Sequence, residues 1–229
     1  MDFEKLLKIT EKTEVDEDRE RFLERIKDFP EEEQMLVDAA YDLSKESHRP
    51  QRRDSGERYF EHTRETALII MDECQVRDPD LIISMLLHDA IEDSATFGNR
   101  LLAYSIWEKT AKFRLGRFFN KRVANIVVSL TKPKEDGEEI ETIEKANEFY
   151  LKNLEKAGPD SILLKMADRL HNLRSLSSTT PEKQQRIVKE TKEKYWHIFQ
   201  EVLDKYPKEG SYLLDQMNTE MAKYDKIKA

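Results

Sequence analysis

The chain is poor in the residues that interrupt helices. Glycine occurs 6 times and proline 7 times in 229 residues, which disfavours a turn-rich β fold and favours helices. Cysteine is nearly missing: Cys74 stands alone, which excludes an internal disulfide and fits a reducing cytoplasm. No apolar run approaches the roughly 20 residues needed to cross a bilayer, so no membrane role is expected. The opening MDFEKLLKITEKTEVDEDRERF carries acids where a secretory signal has an apolar stretch, so no targeting segment is read there. Excess positive charge is also lacking. A formal net charge of −8 argues against broad nucleic-acid coating, so a polyphosphate ligand would require cations concentrated locally.

What is present is a soluble composition that can still bury a core, with 38% charged and 38% hydrophobic residues. Residues 1–29 read as a charged helical extension and 30–229 as one compact domain. Pro30-Glu31-Glu32-Glu33 starts a helix with an acidic first turn, carrying Met35, Leu36, Ala39, Ala40 and Leu43 at helical spacing. A basic stretch with Arg49, Arg52, Arg53 and Arg58 follows, broken by the turn Asp54-Ser55-Gly56. Helix resumes from about Tyr59 to Glu73. Residues 97–130 read as two helices divided near Gly116, and 138–156 as a polar helix stopped by Gly158-Pro159. Pro181 opens a long helix to about Tyr206, and Gly210 separates a final one. Glycine and proline fall almost entirely between periodic segments, so the fold class is all-α, a compact multi-helix bundle.

The most informative stretch is LIISMLLHDAIED, residues 81–93. Asp78-Pro79 ahead of it is a helix-start signal, seven largely apolar residues follow, and then come His88, Asp89, Glu92 and Asp93. Ionisable groups at the end of a buried segment are costly unless their charge is compensated, and a divalent cation compensates with least demand on the surroundings. His62 lies on the preceding helix. Asp168 and Asn172 share a helix face in KMADRLHNLR (165–174), beside apolar Met166, Leu170 and Leu173. Two imidazoles and two carboxylates make a site of formal charge −2, with mixed ligation that suits manganese, iron or zinc better than magnesium or calcium. Taken singly, each of these residues has a bland alternative as a satisfied core histidine, a cap or an ion-pair partner.

The order His62 … His88-Asp89 … Asp168 resembles the H…HD…D metal pattern of the HD-domain phosphohydrolases, an all-α superfamily. Four separated blocks, QRRDSGERY (51–59), HDAIED (88–93), KMADRLHNLR (165–174) and PEKQQRI (181–187), resemble one group within it. That group is the hydrolase domain of RelA/SpoT-type alarmone enzymes, and the likeness runs from about residue 35 to 205. The resemblance implies that His62, His88, Asp89 and Asp168 hold one divalent cation, usually Mn²⁺. It implies that Glu92 and Asp93 handle water and protons, and that Arg53, Asn172 and Arg174 contact a small-molecule nucleotide. The implied reaction is removal of pyrophosphate from the 3′ position of (p)ppGpp, giving GDP or GTP, without an accompanying synthetase domain.

Some positions depart from that pattern. Asp54 stands where the family usually has lysine, Ser175 where threonine is common, and Arg58 and Thr63 replace two prolines. A carboxylate beside a polyphosphate pocket costs Coulomb energy, which leaves (p)ppApp or the 2′-phosphate of NADPH as alternative substrates. A helical binding module without catalysis is the alternative of a different class. The 97–116 stretch, longer than the usual connection, reads as packing filler, with a lid or the face of a homo-oligomer as alternatives.

Overall fold

The computed structural model describes residues 17–99, 102–132 and 143–224. Among these the secondary structure is helical, apart from one isolated antiparallel bridge between Arg52 and Arg58. The helices are α1 (Glu17–Glu24), α2 (Glu31–Ser47), α3 (Tyr59–Leu68), α4 (Pro79–Leu87) and α5 (Ala90–Asp93). They continue as α6 (Tyr104–Phe118), α7 (Lys121–Leu130), α8 (Ile143–Ala157), α9 (Pro159–Arg174), α10 (Pro181–Glu190), α11 (Trp196–Gln200) and α12 (Pro207–Ala222). The all-α expectation holds.

Two helices lie at the centre. The first, α4, is sheathed by α2, α3 and α7 and also touches α9. Every residue from Leu81 to Leu87 is buried, which is why so apolar a segment is stable there. Its start follows from sequence: Asp78 accepts hydrogen bonds from the Asp80 and Leu81 N–H groups, and Pro79 occupies the first turn. The second central helix, α9, touches α3, α4, α7, α8, α11 and α12. It too opens on proline, after Gly158 at φ +86°, a left-handed conformation that glycine adopts without steric cost. Residues 17–29 feed the same core: Phe22 and Ile26 are buried, and the Phe22 ring lies 5.1 Å from that of Tyr41.

Three boundaries differ from the sequence reading. The break between α6 and α7 falls at Phe119-Asn120, three residues beyond Gly116, because the Asn120 side chain caps α7 by accepting the Val123 N–H. Gly210 lies inside α12, which Pro207 starts. A Cβ at Gly210 would come within 2.5 Å of Val202 Cγ1, so the glycine serves a close approach between segments rather than a stop. The long helix from Pro181 is a run of changing helical type, with a π turn at Thr191–Tyr195 and a 3₁₀ turn at Glu201–Asp204. The expected start of the polar helix, 138–142, lies outside the described residues. No helix among the described residues is long and apolar enough to cross a membrane.

Candidate metal centre and nucleotide pocket

The helix α4 ends at Leu87, and the chain delivers His88 and Asp89 in the tight turn before α5. His62 comes from the first turn of α3, and Asp168 from the middle of α9. Because α3 and α4 both pack on α9, these residues converge. His62 Nε2 lies 3.2 Å from Asp168 Oδ1 and 3.6 Å from Asp89 Oδ2. His88 Nε2 lies 3.1 Å from Asp89 Oδ2 and 3.9 Å from Asp168 Oδ1. Ligand atoms of His62, His88 and Asp89 all fall within 4.8 Å of one another.

Each of the four side chains has a further polar partner that fixes it. The Nδ1 of His88 is 2.7 Å from the Met85 carbonyl, which can only accept, so the proton sits on Nδ1 and Nε2 is left facing the cluster. The Tyr59 hydroxyl donates to Asp89 Oδ2 at 2.8 Å. Asp168 receives Lys165 on Oδ2 at 2.8 Å and the Asn172 amide on Oδ1 at 2.7 Å. His62 Nδ1 is 2.9 Å from Nδ1 of His171.

The electrostatics show what the cluster demands. Burial opposes charge on His88, but Asp89 and Asp168 outweigh it and lift its pKa to about 9. Burial also works against the Asp89 and Asp168 carboxylates. His88 holds Asp89 below the usual range, and Lys165 with the histidines holds Asp168 well below it. Burial lowers His62 despite Asp168, and burial with His62 and Arg53 pushes His171 down to about 3. Two ionised aspartates thus draw positive charge to one buried point. A divalent cation meets that demand, and the donor set of two imidazole nitrogens and two carboxylate oxygens fits one. The spacing of His62, His88 and Asp89 also fits, since such ligands lie about 2.0–2.2 Å from the ion and so a few ångströms from each other. His88 Nε2 is buried and faces the Asp89 and Asp168 carboxylates, so a cation between them would take up its lone pair.

The cluster opens into space on its solvent side. A cavity of about 150 Å³ is lined by His62, Asp89, Asp168 and Glu92, whose Oε2 accepts the Lys132 backbone N–H at 3.1 Å. The backbone of Asp93 closes α5, but its side chain lies outside the described residues. Beyond Tyr59, Lys132, Lys165 and Asn172, which line both spaces, lies a second cavity of about 390 Å³. Its walls carry Arg52, Arg53, Lys183 and Arg186, with Arg169 deeper in. The Arg53 guanidinium donates to Asn172 Oδ1 at 2.9 Å and Ser175 Oγ at 3.1 Å, which fixes its plane at the cavity wall. Asp54 also lines the wall, paired with Lys183.

Arg174 is not in this pocket. It forms a two-point ion pair with Glu73 at 2.6 and 2.8 Å, and the Tyr212 hydroxyl donates to the same carboxylate. Asn172 and Arg174 are two residues apart, about 200° around a helix, so a single ligand cannot meet both from one side. Tyr59, Lys165 and His171 also reach the cluster, which no expectation from the sequence included. Each stands three residues from a candidate ligand (Tyr59 before His62, Lys165 before Asp168, His171 after it), a helical spacing that signals a shared face.

Residues 40–200 match the HD domain family, and the chain belongs to it. It is similar to two proteins named guanosine-3′,5′-bis(diphosphate) 3′-pyrophosphohydrolase. The one from Aquifex aeolicus is 33% identical over 181 residues, covering 79% of this chain and 23% of that protein. The one from Spiroplasma citri is 34% identical over 183 residues, covering 77% of this chain and 22% of that protein. The chain thus spans less than a quarter of the length of these curated relatives. A solved structure described as a metazoan orthologue of SpoT that hydrolyses ppGpp matches 82% of this chain and 94% of its own. Its TM-score is 0.58 at 20% identity, a likeness of fold.

Proposed function

We propose that this domain hydrolyses the 3′-pyrophosphate of (p)ppGpp, using one divalent cation, Mn²⁺ by preference, held by His62, His88, Asp89 and Asp168. The supporting observation is the junction of the two cavities: the buried His/Asp cluster opens directly into a basic pocket of nucleotide size. The mixed nitrogen and oxygen donor set is what favours manganese. When bound, the cation supplies Lewis acidity, which makes water nucleophilic near neutral pH and offsets charge on the phosphoryl oxygens.

The chain's own groups do the rest. Arg53, held flat by Asn172 and Ser175, offers a planar cation on which a purine can stack. Lys165 and Arg169, deep in the pocket, set positive potential where phosphates must lie. Glu92 stands over the small cavity, within reach of a water whose proton it takes or orients, with Asp93 as its partner in proton handling. In the reaction, an O–P bond forms at the 3′-linked phosphorus and the bond from that phosphorus to the 3′ oxygen breaks. A proton ends on the 3′ oxygen, and pyrophosphate leaves. The relatives named for this activity support the substrate assignment.

The test is a nucleotide panel, ppGpp, pppGpp, ppApp and NADPH, incubated with the protein and Mn²⁺ and resolved by chromatography. The reading expects GDP and pyrophosphate from ppGpp. Release of inorganic phosphate, or turnover of NADPH alone, contradicts it.

A further inference from the structure

His62 and His88 are both buried and both turn Nε2 toward the two aspartates, but they are anchored by different kinds of partner. Behind His88 is a backbone carbonyl, which can only accept. Behind His62 is a second imidazole, with Nδ1 facing Nδ1 at 2.9 Å and ring centroids 4.7 Å apart at 57°. Imidazole nitrogens at that distance share one proton, so one ring donates and the other accepts. If His171 donates, the proton of neutral His62 moves to Nε2, and the nitrogen facing Asp89 and Asp168 has no lone pair for a cation. If His171 accepts, His62 carries its proton on Nδ1 and Nε2 is free to ligate. No carboxylate hydrogen-bonds to His171 among the described residues, so its own tautomer is the variable that decides between the two states.

We propose that His171 is a positioning residue that accepts the Nδ1 proton of His62 and thereby holds it in the tautomer that can bind a divalent cation. The inference rests on the metal centre of the proposed function but not on its substrate. It predicts an unusual order of substitutions. His171→Phe keeps the ring volume and removes the acceptor, whereas His171→Gln loses volume and keeps an oxygen that can accept. A packing role for His171 makes the Phe variant the milder one. A tautomer role makes the Gln variant the milder one.

The experiment measures Mn²⁺ affinity by calorimetry on the full chain and both variants, with circular dichroism and thermal melting of the metal-free proteins as the folding control. Loss of a hydrogen-bond partner behind a metal-ligating histidine weakens metal binding by about 10- to 100-fold. The expected result is a loss of that size in His171→Phe and a return to within about threefold of the parent in His171→Gln. Nitrogen-15 spectra of the parent imidazoles loaded with diamagnetic Zn²⁺, which do not depend on either variant folding, should show His62 protonated at Nδ1. A Phe variant that binds as the parent does, or a Zn²⁺-loaded His62 protonated at Nε2, overturns the inference. So does a parent chain that binds no Mn²⁺. Hydrolysis is assayed separately: a chain that binds Mn²⁺ in this order yet leaves ppGpp intact keeps the inference and loses the substrate assignment.

Discussion

The floor of the site and its mouth are built on different principles. On the floor, the His62 and His88 side chains are 2% and 3% exposed and that of Asp168 is 7%. Each is fixed by a partner that packing has already ordered. At the mouth, Asp54 is 58% and Lys183 42% exposed, and their ion pair joins a turn to the first part of α10. A buried polar group with imperfect partners costs free energy, whereas an exposed ion pair contributes little. The floor is therefore the costly, chemically committed part of the molecule, and the mouth is where charge can change without disturbing the fold.

Substitutions can sharpen or break this contrast. The largest effect should come from the floor. Asp168→Ala removes a proposed ligand and strands Lys165, and it should lower kcat by roughly 10²–10³-fold, as loss of one group stabilising transition-state charge does. Helical content by circular dichroism should stay near that of the parent. Activity within a few fold of the parent would erase the distinction between floor and mouth. Next comes the wall: Arg53→Ala should raise KM by about tenfold, the equivalent of about 1.4 kcal/mol, while Mn²⁺ affinity by calorimetry is unchanged. At the mouth, Asp54→Asn frees Lys183 for the ligand. KM for the more highly phosphorylated nucleotide should fall by about two- to threefold, and its salt dependence should steepen, because the exposed charge is screened.

The smallest effect lies on the far face of α9, and it is read in stability. Burial opposes the Glu73 charge, but Arg174 and Tyr212 outweigh it and hold the carboxyl below its usual value. A depressed folded-state pKa means that this contribution is complete above the unfolded value of about 4.3 and is lost as pH falls through the folded one. Thermal melts between pH 6 and pH 3 should therefore show a smaller acid-induced drop in Tm for Glu73→Gln than for the parent.

The contrast also explains how much could be read from the sequence. Leu81–Leu87 is so apolar that its burial was plain, and His88-Asp89 at its end raised the question of compensating charge by itself. The helix α4 owed its start to Asp78 and Pro79, both local signals. At the exposed mouth such signals fail, because one arginine in a basic stretch resembles the next. Arg53 turns toward Asn172 and Ser175, while Arg174 is captured by Glu73, 101 residues away in sequence, a long-range pairing that no local pattern reports. Helical geometry alone separates Asn172 from Arg174, and the three-residue spacings of Tyr59, Lys165 and His171 mark them as neighbours of His62 and Asp168. The Phe119-Asn120 break was less legible, since a glycine at 116 competes with a capping asparagine at 120 and the cap prevails.

The central claim is that four side chains from α3, the α4–α5 turn and α9 enclose one cation. Crystals soaked in Mn²⁺ and measured near the manganese absorption edge test it directly. The account predicts a single strong anomalous peak, about 2.0–2.3 Å from His62 Nε2, His88 Nε2 and one oxygen each of Asp89 and Asp168. A peak elsewhere, or none with the protein saturated, would contradict it.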